Sequence, residues 1–493
     1  MSRQLQFLAA DLGAESGRVM RGGFDGERLS LEEVHRFDSR AVRLPDGLHT
    51  NVLQIFTELE AGMAAAVRRG GGELAGVAVD TWGVDFALLD AQGALLGAPH
   101  HYRDRLSDGM LARALASVPR EEIFERTGIG FMEINTLYQL LGLKSRGAAA
   151  LDAARSLLMM SDLFTYWLCG RQCNELPIAT TSQCLDTRRR SWALDLVEKL
   201  GLPTRIFGEI VEPGTVVGEL MPHVAEEAGV PRVPVIAAGG HDTALAVAAV
   251  PARGRDFAFL SSGTWSLLGT ELAEPSIDER SLAANFTNEG GVCGTTRFLK
   301  NVCGLWILQE CRRTWARQGG LDTYDDLVRM ASAAPPLRSL VDVDHPDFAK
   351  PADMPDRLRA FCRRTGQPVP EGKGEVVRCA LDSLALKYRL VLDEMEGLLG
   401  RRLEPLHIVG GGTRNRLLCQ LAADATGRAV EAGPVEATAA GSVILQAMAL
   451  GHVGSLGEAR ALVRRSFEVE TFEPRPRPAL DEALARLRRL VQP

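Results

Sequence analysis

Short apolar runs that stop at glycine-rich turns alternate along this chain with longer stretches in which apolar residues recur at helical spacing. The clearest run is Val235–Ala238, which ends at Gly239 and Gly240 and predicts a buried strand stopping at a tight turn. The alanine-rich segment Ala244–Val250 then predicts a helix, so Asp242 falls where strand hands over to helix. Leu5–Phe24 reads as strand, turn, strand, with the small-residue turn spanning Asp11–Gly17. Alternation over Leu74–Asp90 predicts strand, and Leu406–Val409 predicts a strand running into Gly410–Gly412 and the helix Arg416–Thr426. Helices are predicted over Asn51–Arg69, Leu157–Leu168, Val376–Leu399 and Ala479–Val491. Ala333–Pro370 holds seven prolines and predicts an irregular insertion.

The pattern repeats. Gly13 and Ser16 of the first turn match Gly263 and Ser266, 250 residues further on, within Ser261–Ser266 and its two flanking strands. A second echo pairs the strand at Asp80–Asp85 with the strand entering Gly410. Duplicated halves are therefore expected, and Pro251 and Gly254 put the boundary near Ala252, giving domains 1–251 and 252–493.

Length and composition narrow the class. A chain of 493 residues exceeds what a single core usually organises. With 46% hydrophobic and 24% charged residues it reads as an ordinary globular protein. A net charge of −7 argues against nucleic acid or an anionic membrane as partner, though local amides can still bind a small anion. No apolar run approaches the ~20 residues a membrane helix needs, and Leu5–Leu12 goes straight into strand without a secretory signal. The nine cysteines lack zinc-site spacing, so reduced thiols in a cytoplasmic protein are expected. Cys362 and Cys379, either side of a Pro- and Gly-rich turn, are the one pair left open for a disulfide.

Turns rich in small residues expose their amides, and a row of exposed N–H groups suits phosphate. Gly410–Gly412, opening onto a helix N-terminus, suits a nucleotide lying against bare backbone. Asp11 is then a carboxylate for Mg²⁺ or a turn-capping residue. Asp242 is either an N-cap, held ionised by the positive helix end, or an acceptor for a hydroxyl proton. Phosphoryl transfer needs such an acceptor together with charge neutralisation.

Five motifs taken in order, Asp11–Arg18, Asp80–Asp85, Gly240–Thr243, Ser261–Ser266 and Gly410–Asn415, resemble those of the FGGY carbohydrate kinases over nearly the whole chain. The resemblance implies an α/β protein of two actin-like (ribonuclease-H-type) domains around a central cleft, with the sugar and the first phosphate hairpin in the first domain and the nucleotide and second hairpin in the other. It implies ATP with Mg²⁺ and a ketose phosphorylated on its 1-hydroxyl, L-rhamnulose foremost and L-fuculose or xylulose as alternatives. A nucleotide- or sugar-dependent regulator without turnover is the reading from another class. Residue by residue, the resemblance places Ala14, Glu15, Ser16, Gly17, Arg18, Thr264, Gln309 and Gly411 around ATP. It places Gly83, His241, Asp242, Thr243 and Asn301 around the sugar, with Asp242 as base and Asp11 at the metal. Trp82, Val84 or Phe86 would supply an apolar wall for a 6-deoxy sugar, and the polar loop His100–Arg105 would rim the site.

Overall fold

The computed structural model describes residues 4–70 and 72–491. Its contacts divide the chain into two units. One comprises the residues up to 253 with 271–298 and 437–467; the other comprises 254–270, 299–436 and the residues from 468 onward.

The first unit is built on a six-stranded sheet. Its strands are β1 (Leu5–Leu12), β2 (Ser16–Phe24), β3 (Leu29–Asp38), β4 (Glu73–Thr81), β5 (Thr215–Glu219) and β6 (Pro234–Ala237), in the order β5-β6-β4-β1-β2-β3. Phe7–Ala10 of β1 are buried on both faces, which is why the strand reads as a continuous apolar run. Helix Val52–Arg68 lays Ile55, Leu59 and Met63 on one core that also takes in Leu8, Ala10 and Leu12. Asn51 starts this helix by accepting a hydrogen bond from the Gln54 amide. Helix Ala437–Ala449 packs on the sheet as well: its Gln446 Nε2 donates to the Leu8 carbonyl at 3.0 Å, and Gly22 leaves room for Val443. Strand β4 pairs parallel to β1 with Asp80 opposite Asp11, and β6 pairs parallel to β4.

The second unit repeats the opening move. β7 (Ala258–Ser262) and β8 (Trp265–Leu272) form a hairpin, as β1 and β2 do, and β8 and β9 (Thr296–Cys303) each carry the chain from one unit into the other. β10 (Leu406–Val409) pairs parallel to β7, as β4 does to β1. β11 (Val430–Ala432) and β12 (Glu470–Phe472) continue the sheet beyond β10. The 250-residue offset read from Gly13 and Gly263 is thus an offset between two hairpins that each take a parallel neighbour.

Two expected elements differ. Leu157–Leu168 is not one helix: Ser156–Met159 is a strand, and the helix runs over Met160–Cys169. Ala87 pairs with Leu158, so Phe86–Leu89 draws the front of the apolar run into a ladder, a choice that periodicity over four residues cannot make. Inside the proline-rich insertion, Met354–Arg364 is a helix, capped by the Asp353 side chain with Pro355 in its first turn, where a missing N–H is harmless. Cys362 and Cys379 are free, buried thiols. No helix among the described residues is long and apolar enough to cross a membrane.

Candidate active site

Strands β6, β4 and β1 are neighbours, and their carboxyl ends converge on one region of the first unit. Ligands of open α/β sheets bind outside the carboxyl ends of the strands. Asp11 and Asp80 each precede the last residue of their strands, β1 and β4, and Asp242 follows β6 after the turn Gly239–Gly240. The turn needs its glycines. Both have positive φ, +145° and +57°, and a Cβ on Gly239 would lie 2.5 Å from Leu245 Cδ2. A hydrogen bond from the Thr81 amide to the Gly240 carbonyl, 2.9 Å, ties the turn to the end of β4.

His241, not Asp242, is the N-cap of helix Asp242–Ala248, which corrects the capping alternative for the acid. Asp242 is the first helical residue, and its Oδ1 accepts from the Thr243 amide at 2.5 Å and the Thr243 hydroxyl at 3.0 Å. Burial outweighs the positive helix end in setting the pKa of this acid. Desolvation first, and then the negative charge of Asp11, raises its pKa to about 6, although 42% of the side chain stays accessible. At neutral pH the group remains an anion, but it is a far better proton acceptor than an ordinary carboxylate.

Its neighbour His241 is held in one tautomer. Arg297 Nη2 lies 3.2 Å from His241 Nδ1, and a guanidinium can only donate, so Nδ1 accepts and the ring proton sits on Nε2. That nitrogen lies 3.3 Å from Asp242 Oδ1. Burial, then the charge of Arg297, pushes the imidazole pKa well down, leaving a neutral ring. Arg297 itself is wholly buried, with Glu289 Oε2 3.1 Å away as its counter-charge.

Asp80 is wholly buried, and neither of its carboxylate oxygens has a hydrogen-bond partner among the described residues. Burial and the charges of Asp11 and Asp242 raise its pKa well above the usual range. Asp11 gives Oδ2 to Arg18, 2.6 Å from Nη2. Oxygen donors of this kind, one carboxylate of them buried without a partner, fit a hard divalent cation such as Mg²⁺, and Asp80 and Asp11 are the residues that would hold it. Asp80 opens the motif Asp80–Asp85, but its role is hidden in one sequence because its place opposite Asp11 depends on strand pairing.

Gly83 follows β4 in a tight bend: a Cβ there would sit 3.0 Å from the Thr181 side chain, and Val84 has φ of +68°. Trp82 Nε1 donates to Asp85 Oδ2 at 2.8 Å, while burial lifts the Asp85 pKa to about 7. In the hairpin turn, Ala14, Glu15 and Ser16 are at least partly open to solvent, whereas Gly17 is buried under the Phe37 ring.

The other named residues belong to the second unit. Gln309 Nε2 donates to Thr264 Oγ1 at 3.3 Å, which places both beside the β7–β8 turn. Trp306 is core, with Nε1 bonded to the Phe348 carbonyl. Gly412 presses on Ser262, but a Cβ on Gly411 would meet nothing within 4 Å, so its backbone is open to a ligand. Asn301 lies on β9, partly buried.

Carboxylates at adjacent strand ends, a duplicated hairpin and an open glycine backbone together describe a phosphotransferase. A solved structure, the gluconate kinase from Lactobacillus acidophilus, superposes with a TM-score of 0.79 at 15% identity, covering 99% of this chain and 96% of that one, and so shows the shared fold. Family models for the N-terminal and C-terminal domains of the FGGY family of carbohydrate kinases match residues 8–249 and 258–450, and the chain belongs to that family. Among its relatives, the rhamnulokinase of Bacteroides thetaiotaomicron is 42% identical over 486 residues, covering 99% of each chain. The rhamnulokinase of Klebsiella pneumoniae is 40% identical over 489 residues, covering 99% of this chain and 97% of its own.

Proposed function

We propose that this carbohydrate kinase transfers the γ-phosphoryl group of ATP to the 1-hydroxyl of L-rhamnulose, giving L-rhamnulose 1-phosphate and ADP. The observation that carries the chemistry is the Asp242 carboxylate, raised to about 6 and backed by a neutral His241. Asp242 takes the proton of the sugar hydroxyl as the oxygen attacks phosphorus, and the γ-phosphoryl leaves ADP. The Nε2–H of His241 orients the carboxylate for that task. Asp80 and Asp11 would hold Mg²⁺, which when bound neutralises charge on the phosphate oxygens. Gly83, His241, Thr243 and Asn301 are assigned to the sugar; Ala14–Arg18, Thr264, Gln309 and Gly411 are assigned to ATP. Residues 1–251 are read as the sugar-binding domain and 252–493 as the nucleotide-binding domain.

The choice of L-rhamnulose rests on the relatives just described. Trp82, 8% exposed and fixed through its indole N–H, is a candidate apolar wall for a 6-deoxy group. A regulator without turnover has no need of a proton acceptor such as Asp242, and the intact Asp11 and Asp242 count against that reading. ADP release measured across L-rhamnulose, L-fuculose, xylulose and glycerol tests the assignment. L-Rhamnulose should give the highest kcat/KM, and a roughly tenfold preference for another acceptor, about 1.4 kcal/mol in transition-state binding, would overturn it.

A further inference from the structure

A cluster apart from the strand-end carboxylates joins the short strand Gly47–His49 to the loop after Ala98. His49 and His100 are partners in an antiparallel bridge, flanked by hydrogen bonds from Thr50 N to the Pro99 carbonyl and from His101 N to the Leu48 carbonyl, both 2.9 Å. Their rings lie 4.2 Å apart between centroids. Asp46 brings its carboxylate beside them, and one ligand atom from each of Asp46, His49 and His100 lies within 4.8 Å of the others.

Donor and acceptor roles show what is missing. His49 Nδ1 lies 2.9 Å from the Ala98 carbonyl, which can only accept, so this nitrogen carries the ring proton. A neutral His49 then turns the lone pair of Nε2 towards Asp46 Oδ1, 3.1 Å away. Two acceptors at that distance need a cation between them, either a proton or a metal ion. His100 has the second feature of a ligand: Nδ1 faces Asp104 Oδ1 at 3.5 Å, and neither atom has a hydrogen-bond partner among the described residues. Asp104 is itself fixed, since its side chain is 5% exposed and Oδ2 accepts from the Leu48 amide at 2.7 Å. A carboxylate behind a histidine orients the ring and strengthens the opposite nitrogen as a ligand. Arg146 Nη1 donates to the backbone carbonyl of Asp46 at 3.2 Å rather than to its carboxylate.

We propose that Asp46, His49 and His100 bind a zinc-like divalent ion, with Asp104 as the carboxylate behind His100. Two imidazoles and one carboxylate form the mixed nitrogen and oxygen set that Zn²⁺ accepts in tetrahedral geometry, with water in the fourth position; Mg²⁺ prefers oxygen alone. The ion would tie Gly47–His49 to the loop that carries Tyr102, whose amide donates to Asp85 Oδ2, the same carboxylate oxygen that holds Trp82 beside Gly83. It would therefore act as a cross-link steadying the wall next to Gly83.

The test uses chelator-treated full-length protein with excess Mg²⁺ present. Co²⁺ is followed by visible absorption, and Zn²⁺ by calorimetry and thermal unfolding. About one equivalent of either ion should bind, raise the Tm and give a cobalt spectrum without a thiolate charge-transfer band. Asp46→Asn changes an exposed side chain and should fold normally while weakening binding; His100→Gln should abolish it; Asp104→Asn should weaken it roughly 10- to 100-fold. Absence of binding below about 100 μM Zn²⁺ would overturn the proposal, because an ion held more weakly than that contributes little to stability. Unchanged stoichiometry and affinity in Asp46→Asn and His100→Gln, or a thiolate band, would also overturn it by placing the metal elsewhere.

Discussion

A guanidinium has no acceptor, and this fact settles more of the site than any motif does. Arg297 donates to His241, fixes its tautomer and leaves an N–H turned to Asp242, while Glu289 balances the buried charge. Glu289 and Arg297 lie far along the chain from His241 and Asp242, and Arg297 sits inside the strand Thr296–Cys303. Asp11, His241 and Asp242 were legible because each stands at a strand end beside glycines; Asp80, Arg297 and Glu289 were not, because their meaning comes from pairing across the sheet. Arg297→Met should therefore strand the Glu289 charge, which is 7% exposed, and cost about 3–5 kcal/mol by calorimetry. Adding Glu289→Gln should return part of that loss. A single variant as stable as wild type would show that the buried pair is not compensating as described.

At the scale of elements, periodicity was sufficient wherever a segment is long or bounded by glycine and proline. Leu406–Val409, Arg416–Thr426 and Ala479–Val491 have the expected limits. It failed at Leu157–Met159, where three apolar residues are helix or strand according to what lies beside them, and at Met354–Arg364, where proline density hid a capped helix. Close approach between helices was equally hidden. Gly441 lies against helix Asp242–Ala248, and a Cβ there would come 2.0 Å from the Leu245 carbonyl oxygen, a backbone atom that cannot swing aside. Gly441→Ala should cost about 1–3 kcal/mol and lower kcat by displacing the helix that begins at Asp242. Gly397→Ala, in a helix where the new methyl meets nothing within 4 Å, should instead stabilise by roughly 0.5–1 kcal/mol. Comparing the two melting temperatures checks both.

For the whole molecule, the duplication could be read from an offset of 250 residues, but the path of the chain could not. Segments 271–298 and 437–467 return to the first unit, and sequence order gives no sign of it. The return is anchored: Gln446 bonds to the Leu8 carbonyl, Arg460 pairs with Glu271, and Arg464 donates to the carbonyls of Pro251 and Ala252. A fragment of residues 1–251 lacks Val443 and its neighbours and would expose the sheet face they cover. It should lack a cooperative unfolding transition and be cleaved rapidly in limited proteolysis, whereas the full chain resists. A fragment that melts cooperatively as a monomer would contradict the three-segment description.

Whether Asp242 accepts the proton of the sugar hydroxyl is tested by Asp242→Asn, which changes the shape of the side chain little. In the wild type, kcat/KM for L-rhamnulose should rise with pH through about 6 and level off above, because the raised carboxyl must be ionised to act. In the variant that limb should vanish and kcat should fall by roughly 10²–10⁴, with sugar and ATP binding little altered. A folded Asp242→Asn protein that binds both substrates and keeps more than about a tenth of wild-type turnover, with the acid limb intact, would contradict the account.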